Sequence, residues 1–152
     1  MLRSYQDLPG YVSEPDYEVE LADVGGRAAH APVAVAIAPD GAGGDVVVGC
    51  VTYVPGQDNP HAEFDDPAAA GFRMLGVEPD GQGRGAGRAL VRWCIDQAVA
   101  GGKRRIIIHS TPWMTRAHAM YGRFGFERRP ELDWHPTADI ELWGFVLELP
   151  PG

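Results

Sequence analysis

Residues 74–90, in the middle of the chain, form the most informative segment of the sequence. Residues 74–90 read Met-Leu-Gly-Val-Glu-Pro-Asp-Gly-Gln-Gly-Arg-Gly-Ala-Gly-Arg-Ala-Leu. The segment predicts a strand, a short turn and a loop that opens directly into a helix. Gly83, Gly85 and Gly87 present no side chain to a ligand, and the helix that follows points its first N–H groups and its positive dipole end at the same place. The sequence therefore predicts an anion site, suited to a diphosphate, that is built from backbone.

Two common nucleotide-binding loops fit this segment poorly. A P-loop ends in Gly-Lys-Ser/Thr, whereas residues 85–89 read Gly-Ala-Gly-Arg-Ala and lack both the lysine and the metal-binding hydroxyl. A dinucleotide loop matches residues 81–86 in its relaxed form. That fold also needs an acidic residue about 20 positions later, at the end of the next strand, and this strand ends in Ile-His-Ser at residues 108–110. NAD(P) binding is therefore the weaker hypothesis.

A third loop pattern, Gln/Arg-x-x-Gly-x-Gly/Ala, is matched in full by residues 82–87, Gln-Gly-Arg-Gly-Ala-Gly. After a predicted helix and strand, residues 117–126 read Ala-His-Ala-Met-Tyr-Gly-Arg-Phe-Gly-Phe. The first segment resembles the acetyl-coenzyme A (acetyl-CoA) loop of the GNAT acetyltransferase superfamily. The second resembles that superfamily's Ala-x-x-Leu-Tyr-x-x-x-Gly-Phe segment. The resemblance covers roughly residues 33–149.

The resemblance implies an α/β fold with a mixed, mostly antiparallel central sheet and flanking helices. Two neighbouring strands splay apart in this fold, and the cofactor's pantetheine arm lies in the gap between them. We expect one domain over residues 1–152, with the sheet and cofactor core over 33–149 and an incomplete helical or loop region over 1–32. The superfamily's first strand has no counterpart here, so we expect a shortened form, a start further upstream, or another chain that covers the sheet edge.

Hydrophobic periodicity and turn residues predict the secondary structure along the chain. A helical pattern over residues 16–29 is weakened by a glycine pair, and residues 55–70 form a long acidic loop. The predicted strands are 33–38, 46–54, 71–77, 105–110, 126–128 and 140–149, the last two joined by a loop at 130–139, and the later helices are about 84–100 and 115–124.

The resemblance assigns the acetyl-CoA contacts to the strand end, the loop and the helix start. The main chain of Leu75 and Val77 would pair with the pantetheine amides, and an N–H near Leu75 would polarise the acetyl carbonyl. Arg84 and Arg88 either add charge beside the diphosphate or face solvent. The complete predicted cofactor set is Leu75, Gly76, Val77, Gln82, Gly83, Arg84, Gly85, Ala86, Gly87 and Arg88.

The resemblance also makes Tyr121 the candidate general acid for the departing sulfur. A phenol of pKa about 10 can protonate a thiolate of similar basicity, but a tyrosine on an apolar helix face can equally belong to the core. The superfamily often has an asparagine seven residues earlier, where this chain has Met114. Its candidate replacements are Ser110, Thr111 and Thr115.

The pocket for the acceptor amine is less well defined by the sequence. Glu63 and His109 are candidate general bases, with Asp65 and an ordered water as alternatives, and no metal is required. Asp133 and Trp134 pair an acid with an aromatic ring, which suits an ammonium group or an ordinary turn. The function hypothesis is transfer of an acetyl group to a primary amine by direct attack in a ternary complex. The alternative is a non-catalytic acyl-CoA-binding or regulatory module.

Composition narrows the functional classes. The chain has 152 residues, 45% of them apolar, and 21 acidic against 13 basic residues give a net charge of −8, which argues against nonspecific nucleic-acid binding. Cys50 and Cys94 lie in apolar segments and predict reduced core cysteines. No apolar run approaches the ~20 residues that cross a bilayer, and the first residues do not resemble a signal peptide. We therefore expect a cytoplasmic protein without a membrane partner, for which a homodimer is a common state.

Overall fold

The computed structural model describes residues 19, 22–79, 83 and 85–151. The strands are β1 (Val33–Pro39), β2 (Asp45–Val54), β3 (Ala69–Val77), β4 (Arg105–Ser110), β5 (Glu127–Arg128), β6 (Trp134–Thr137) and β7 (Ile140–Glu148). The α-helices are α1 (Val24–Ala28), α2 (Ala86–Ala100) and α3 (Thr115–Phe124), and Pro130–Leu132 form a short 3-10 helix.

These strands form one mixed sheet in the order β1-β2-β3-β4-β7-β5, and β6 pairs with β7. Every pair is antiparallel except β3 with β4, which is parallel. In the described part of the chain, β3 and β4 pair only at Ala69 with Arg105 and at Ala70 with Ile106. Both strands continue well beyond these residues, so they separate toward their carboxyl ends. The predicted sheet with a splayed strand pair is confirmed.

The two long helices pack on the same face of the sheet. Buried residues of α2, including Leu90, Val91 and Cys94, meet Val51 of β2 and Ile106 of β4 in the main core cluster. Side chains of a strand alternate between the two faces of the sheet. The residues next to Val51 and Ile106 in sequence therefore face away from the long helices, on the opposite side of the sheet. There a smaller cluster forms from Ala69, Ile107 and Val146, with Phe64 and Leu132 packed against it.

A β-bulge interrupts β3 shortly before it ends. Thr52 of β2 pairs with Arg73, but Cys50 pairs with Gly76, so β3 carries one extra residue across this interval. Met74, which is buried, adopts a left-handed φ of 55° there. Bulges bend a strand and redirect the groups that follow, and they occur often beside functional sites. The last residues of β3 therefore leave the regular path of the sheet just before the glycine-rich loop.

The predicted elements agree with the structure in most places. β1, β2, β4, α3 and the end of α2 match within one or two residues of the sequence interpretation, and Cys50 and Cys94 are buried in the core as predicted. β3 begins at Ala69, two residues ahead of the prediction. None of the helices in the described part of the chain is long and apolar enough to cross a lipid bilayer.

The helical pattern predicted at 16–29 is only partly described. Val19 and Ala22 are helical, and the helix Val24–Ala28 follows Asp23, whose carboxylate accepts a hydrogen bond from the Gly26 N–H at 2.9 Å. Tyr17 and Leu21, two apolar residues of the pattern, lie outside the described residues.

The predicted loop at 130–139 was wrong in part. It contains the 3-10 helix and β6, because Thr137 and Trp134 pair with Ile140 and Leu142 of β7.

Gly125 provides a test of how α3 ends. It follows the helix with a φ of 101°, and its N–H bonds back to the carbonyls of Gly122 and Tyr121. Gly125→Ala should destabilise the protein by about 1 kcal/mol, because an alanine is strained in this left-handed conformation. Gly122→Ala, inside the same helix with open space around the added methyl, should be neutral or stabilise by up to about 1 kcal/mol. Urea unfolding of both variants measures this, and equal effects would contradict the cap.

Candidate functional site

A cavity of about 540 Å³ lies where β3 ends, α2 begins and α3 passes across them. Its wall includes both the strand end and the helix start that the sequence assigned to the cofactor. Gln82 and Arg84 of the predicted cofactor set lie outside the described residues. The predicted residues that the structure brings to the wall are Leu75, Gly76, Val77, Gly83, Gly85, Ala86, Gly87 and Arg88.

The amino-terminal end of α2 opens on this cavity without a side-chain cap. Gly85 occupies the N-cap position with a φ of 83° and makes no side-chain cap hydrogen bond, and the first turn holds no acidic residue. A methyl group added at Gly83 or Gly85 would meet no described atom within 4 Å, so both glycines face open space. The first N–H groups of a helix have no intrahelical acceptor and carry the positive end of its dipole. This helix start therefore fits a diphosphate.

Arginines surround the cavity even though the protein as a whole is acidic. The side chains of Arg88 and Arg92 approach from α2, those of Arg116 and Arg123 approach from α3, and no acidic residue lies among the described lining residues. The Arg92 guanidinium stands 5.1 Å above the ring of Phe124. Positive charge around a concave site attracts an anionic ligand and strengthens its binding.

Sequence reasoning missed three of these arginines, namely Arg92, Arg116 and Arg123. The spacing of four between Arg88 and Arg92 places both on one side of α2, which was a usable signal. No such signal connected them to Arg116 and Arg123, because the two helices meet only through the tertiary fold.

Tyr121, the predicted general acid, is 4% exposed and packs in an aromatic cluster. Its ring centroid lies 5.9 Å from that of Phe72, 5.6 Å from that of Phe126 and 6.1 Å from that of Phe145. The α3 residues that line the cavity are its neighbours, including Met120 and Phe124. The tyrosine thus lies directly behind the cavity wall, and its catalytic role stays a prediction.

Met114, which replaces the superfamily's asparagine, does lie on the cavity wall, at the N-cap of α3. Its sulfur is 3.4 Å from the Ser110 hydroxyl, which in turn lies 3.0 Å from Nε2 of His118. The Thr111 hydroxyl is buried and has no hydrogen-bond partner among the described residues. Of the candidate replacements for the asparagine, Ser110 is therefore already engaged, and none of the three lines the cavity.

His118 is a second group that the sequence analysis did not single out. Its ring is stacked on Trp143, with centroids 5.9 Å apart, and lies 4.9 Å from the ring of Phe145. Burial lowers the pKa of His118 below its ordinary value, so the imidazole is neutral at pH 7. His118 lies inside the segment 117–126. Its position about one turn before Tyr121 was the only feature of the sequence that could have singled it out.

The predicted acceptor residues lie away from the cavity. His109 alternates with buried Ile108, so it lies on the opposite face of the sheet from the long helices. Its Nε2 is 2.9 Å from the carbonyl oxygen of Leu132, and its ring meets that of Trp134 edge to face, at 6.4 Å. Glu63 pairs with Arg73 of β3 at 2.8 Å. The structure thus brings His109 and Trp134 together, and Glu63 is held by β3.

Asp133 forms a two-pronged ion pair with Arg128. Both distances from the guanidinium to the carboxylate oxygens are 2.6 Å, and the Gly144 N–H donates to the same carboxylate at 2.9 Å. The Arg128 guanidinium also lies 4.5 Å above the ring of Trp143. Both carboxylate oxygens are therefore engaged within the protein, and the pair fixes the segment between β5 and β6 against β7.

This ion pair makes stability depend on pH. The Arg128 hydrogen bond holds the pKa of Asp133 below its ordinary value, so the pair stabilises the fold above about pH 4 and the stabilisation is lost as the pH falls through the lowered pKa. Asp133→Asn should cost about 1 kcal/mol at pH 7 and progressively less in acid. Urea unfolding at pH 7 and pH 3 measures this. The control Asp139→Asn, in the exposed β6–β7 turn, should show no such pH dependence, and a pH-independent cost of Asp133→Asn would contradict the account.

Many solved structures share the fold of the chain, and the following three are among them. A GNAT-family protein from Desulfovibrio desulfuricans matches with a TM-score of 0.65 at 21% identity. The match covers 97% of this chain and 89% of the chain of that protein. The NatC complex bound to Gag peptide and CoA has a TM-score of 0.64 at 19% identity, with 97% and 87% covered. The yncA protein of Salmonella typhimurium, solved with its cofactor acetyl-CoA, has a TM-score of 0.56 at 19% identity, with 93% and 77% covered.

Sequence comparison extends this likeness from fold to family. No curated protein matches the chain in sequence. The profile of the Acetyltransferase (GNAT) family matches residues 2–126. The match therefore begins before residue 33, where the resemblance described in the sequence analysis starts. The predicted cofactor, acetyl-CoA, is confirmed at the level of the family, since neighbours with acetyl-CoA or CoA bound are among these structures. The chain belongs to the GNAT acetyltransferase family.

Proposed function

We propose that the protein transfers the acetyl group of acetyl-CoA to a primary amine by direct attack within a ternary complex. The observation that carries this proposal is the uncapped start of α2, which opens on an arginine-rimmed cavity that continues along the end of β3. A helix start without a side-chain acceptor is suited to a diphosphate, and the cavity beside it is large enough to hold much of an extended cofactor.

The cofactor contacts follow from the order of residues along the cavity wall. Main-chain N–H groups of residues 83 and 85–88 would hold the diphosphate, and Arg88 would add charge beside them. The main chain of residues 75–77 would pair with the pantetheine amides as an added strand. The bulge at Met74 supports this assignment, because it bends β3 within the part of the strand that no longer pairs with β4. Gln82 and Arg84 belong to the same predicted set.

Bound acetyl-CoA supplies an acetyl group that is activated as a thioester. The Leu75 N–H, directly after the bulge, would polarise the carbonyl of that group. The Tyr121 hydroxyl would donate a proton to the departing sulfur, as its place in the segment 117–126 suggests. These two groups come from β3 and α3, the elements on either side of the cavity.

The amine would approach from the opposite face of the sheet and meet the acetyl group in the gap between β3 and β4. His109 of β4 and Glu63, paired with Arg73 of β3, lie on that face and are the candidate bases. Trp134 is 39% exposed and offers an aromatic surface to an ammonium group. Asp133 is less suited to bind the amine, because Arg128 engages both of its carboxylate oxygens. Glu63, by contrast, pairs with Arg73 through Oε1.

One observation favours the alternative, a non-catalytic acyl-CoA-binding module. Tyr121 is almost fully buried among Phe72, Phe126 and Phe145, which is the environment of a structural core tyrosine. A module of this kind would bind the cofactor through the same cavity and would transfer nothing. The two functions therefore differ in turnover and agree in cofactor affinity.

Tyr121→Phe separates the two functions, because it removes the hydroxyl and keeps the ring. If Tyr121 is the general acid, the variant should lose about 100-fold or more in turnover and retain its affinity for acetyl-CoA. Thiol release with a panel of amine acceptors measures turnover, and calorimetry measures affinity. The control is Tyr53→Phe, at a buried tyrosine of β2 in the same core, which should leave turnover unchanged. If the wild type released no thiol with any amine of the panel, the result would favour the binding module. Unchanged turnover of Tyr121→Phe would reject the role of Tyr121 as general acid.

A further inference from the structure

Three arginines on the cavity wall, Arg92, Arg116 and Arg123, have no part in the proposed acetyl transfer. Arg92 of α2 and Arg123 of α3 both line the cavity beside Phe124. We propose that Arg92 and Arg123 bind the 3′-phosphate of CoA, and that the protein thereby discriminates CoA from 3′-dephospho-CoA. This inference rests on the proposed function, because it takes the diphosphate to lie at the start of α2.

The distribution of charge supports a second phosphate site in this cavity. The diphosphate already has the helix start and Arg88, yet the wall presents further guanidinium groups and, among the described lining residues, no carboxylate. In the described part of the chain, neither Arg92 nor Arg123 forms an ion pair with an acidic side chain. Both side chains are exposed and remain available to a ligand. In a protein of net charge −8, the presence of Arg92 and Arg123 on one cavity wall, with no acidic residue among its described lining, is not explained by composition.

The geometry of α2 puts Arg92 at a suitable distance from the diphosphate. Arg92 follows Arg88 by four residues and lies on the same side of the helix, one turn or about 5.4 Å further along the axis. The ribose of CoA carries the diphosphate on its 5′ carbon and the third phosphate on its 3′ carbon, so the two groups are separated by a single sugar. With the diphosphate bound at the start of α2, the 3′-phosphate can therefore reach Arg92.

Phe124 joins the two helices at this corner of the cavity. Its ring lies under the Arg92 guanidinium at 5.1 Å, and Arg123 precedes it on α3. The contact with Phe124 holds the Arg92 side chain over the cavity wall, which reduces the entropy lost when it binds an anion. Arg123 supplies a second cation from the facing helix, and two guanidinium groups from different elements recognise a doubly charged phosphate better than one.

Calorimetric titration with CoA and with 3′-dephospho-CoA tests the proposal. The wild-type protein should bind CoA about 10-fold more tightly, a modest ratio because exposed charge pairs are screened by water and salt. In the double variant Arg92→Gln/Arg123→Gln the ratio should fall below about 2-fold, through weaker CoA binding and not through a change for 3′-dephospho-CoA. The matched control is Arg104→Gln, at an exposed arginine that precedes β4 and does not line the cavity, which should keep the wild-type ratio.

Three outcomes would overturn the proposal. Equal affinity of the wild-type protein for the two ligands would show that the 3′-phosphate is not recognised. If the double variant kept the full preference for CoA, other residues would recognise the 3′-phosphate. If it lost affinity equally for both ligands, the arginines would only attract anions in general. Failure of the wild type to bind either ligand would instead reject the proposed function itself, so the two failures are distinguishable.

Discussion

The short parallel contact between β3 and β4 is the constraint on which the site depends. Neighbouring parallel strands normally continue their hydrogen bonding, but here the described pairs end after Ala70 and Ile106. The extra residue at Met74, held in a left-handed conformation inside the core, bends β3 within the interval that follows. Backbone strain of this kind persists only where the surrounding structure enforces it, and it gathers at functional sites. A regular sheet would close the gap in which the proposed reaction occurs.

Two different kinds of positive charge then act on the same cavity. The start of α2 offers fixed backbone N–H groups whose direction is set by the helix, and the arginines of α2 and α3 offer charged side chains around them. The proposed backbone site needs glycines, because side chains there would enter the space of the ligand. The arginines need no special backbone conformation, and under the proposal they set which anion is preferred. This division explains how an acidic protein can bind a cofactor that carries several phosphates.

Much of the fold could be predicted from the sequence, because local patterns determine it. The glycine-rich loop predicted the start of α2, and alternating or continuous apolar runs predicted β1, β2 and β4 almost to the residue. β6 escaped prediction because its four residues are all exposed and include Pro136, so no apolar pattern marks it. The bulge also left no local signal, because a left-handed conformation at Met74 is not one that methionine favours.

The site was only partly predictable, because its wall is assembled from elements that are distant in sequence. Residues of the loop and strand were found since they form one continuous segment. Arg92 of α2 and Arg123 of α3 line the same cavity only because the fold brings Arg92 against Phe124 of α3, which no spacing in the chain reveals. Asp133 gives another example. Its sequence neighbour Trp134 suggested an amine site, which stays a prediction, and only the fold reveals that Arg128 is its ion-pair partner.

We propose that backbone amides at the start of α2 hold the diphosphate of the cofactor, and a crystal structure of the protein with CoA bound is the decisive experiment. We expect diphosphate oxygens within hydrogen-bonding distance of main-chain N–H groups between residues 83 and 88, with the pantetheine arm directed along residues 75–77. A diphosphate bound elsewhere on the protein, with this helix start facing only solvent, would rule out this mode of binding.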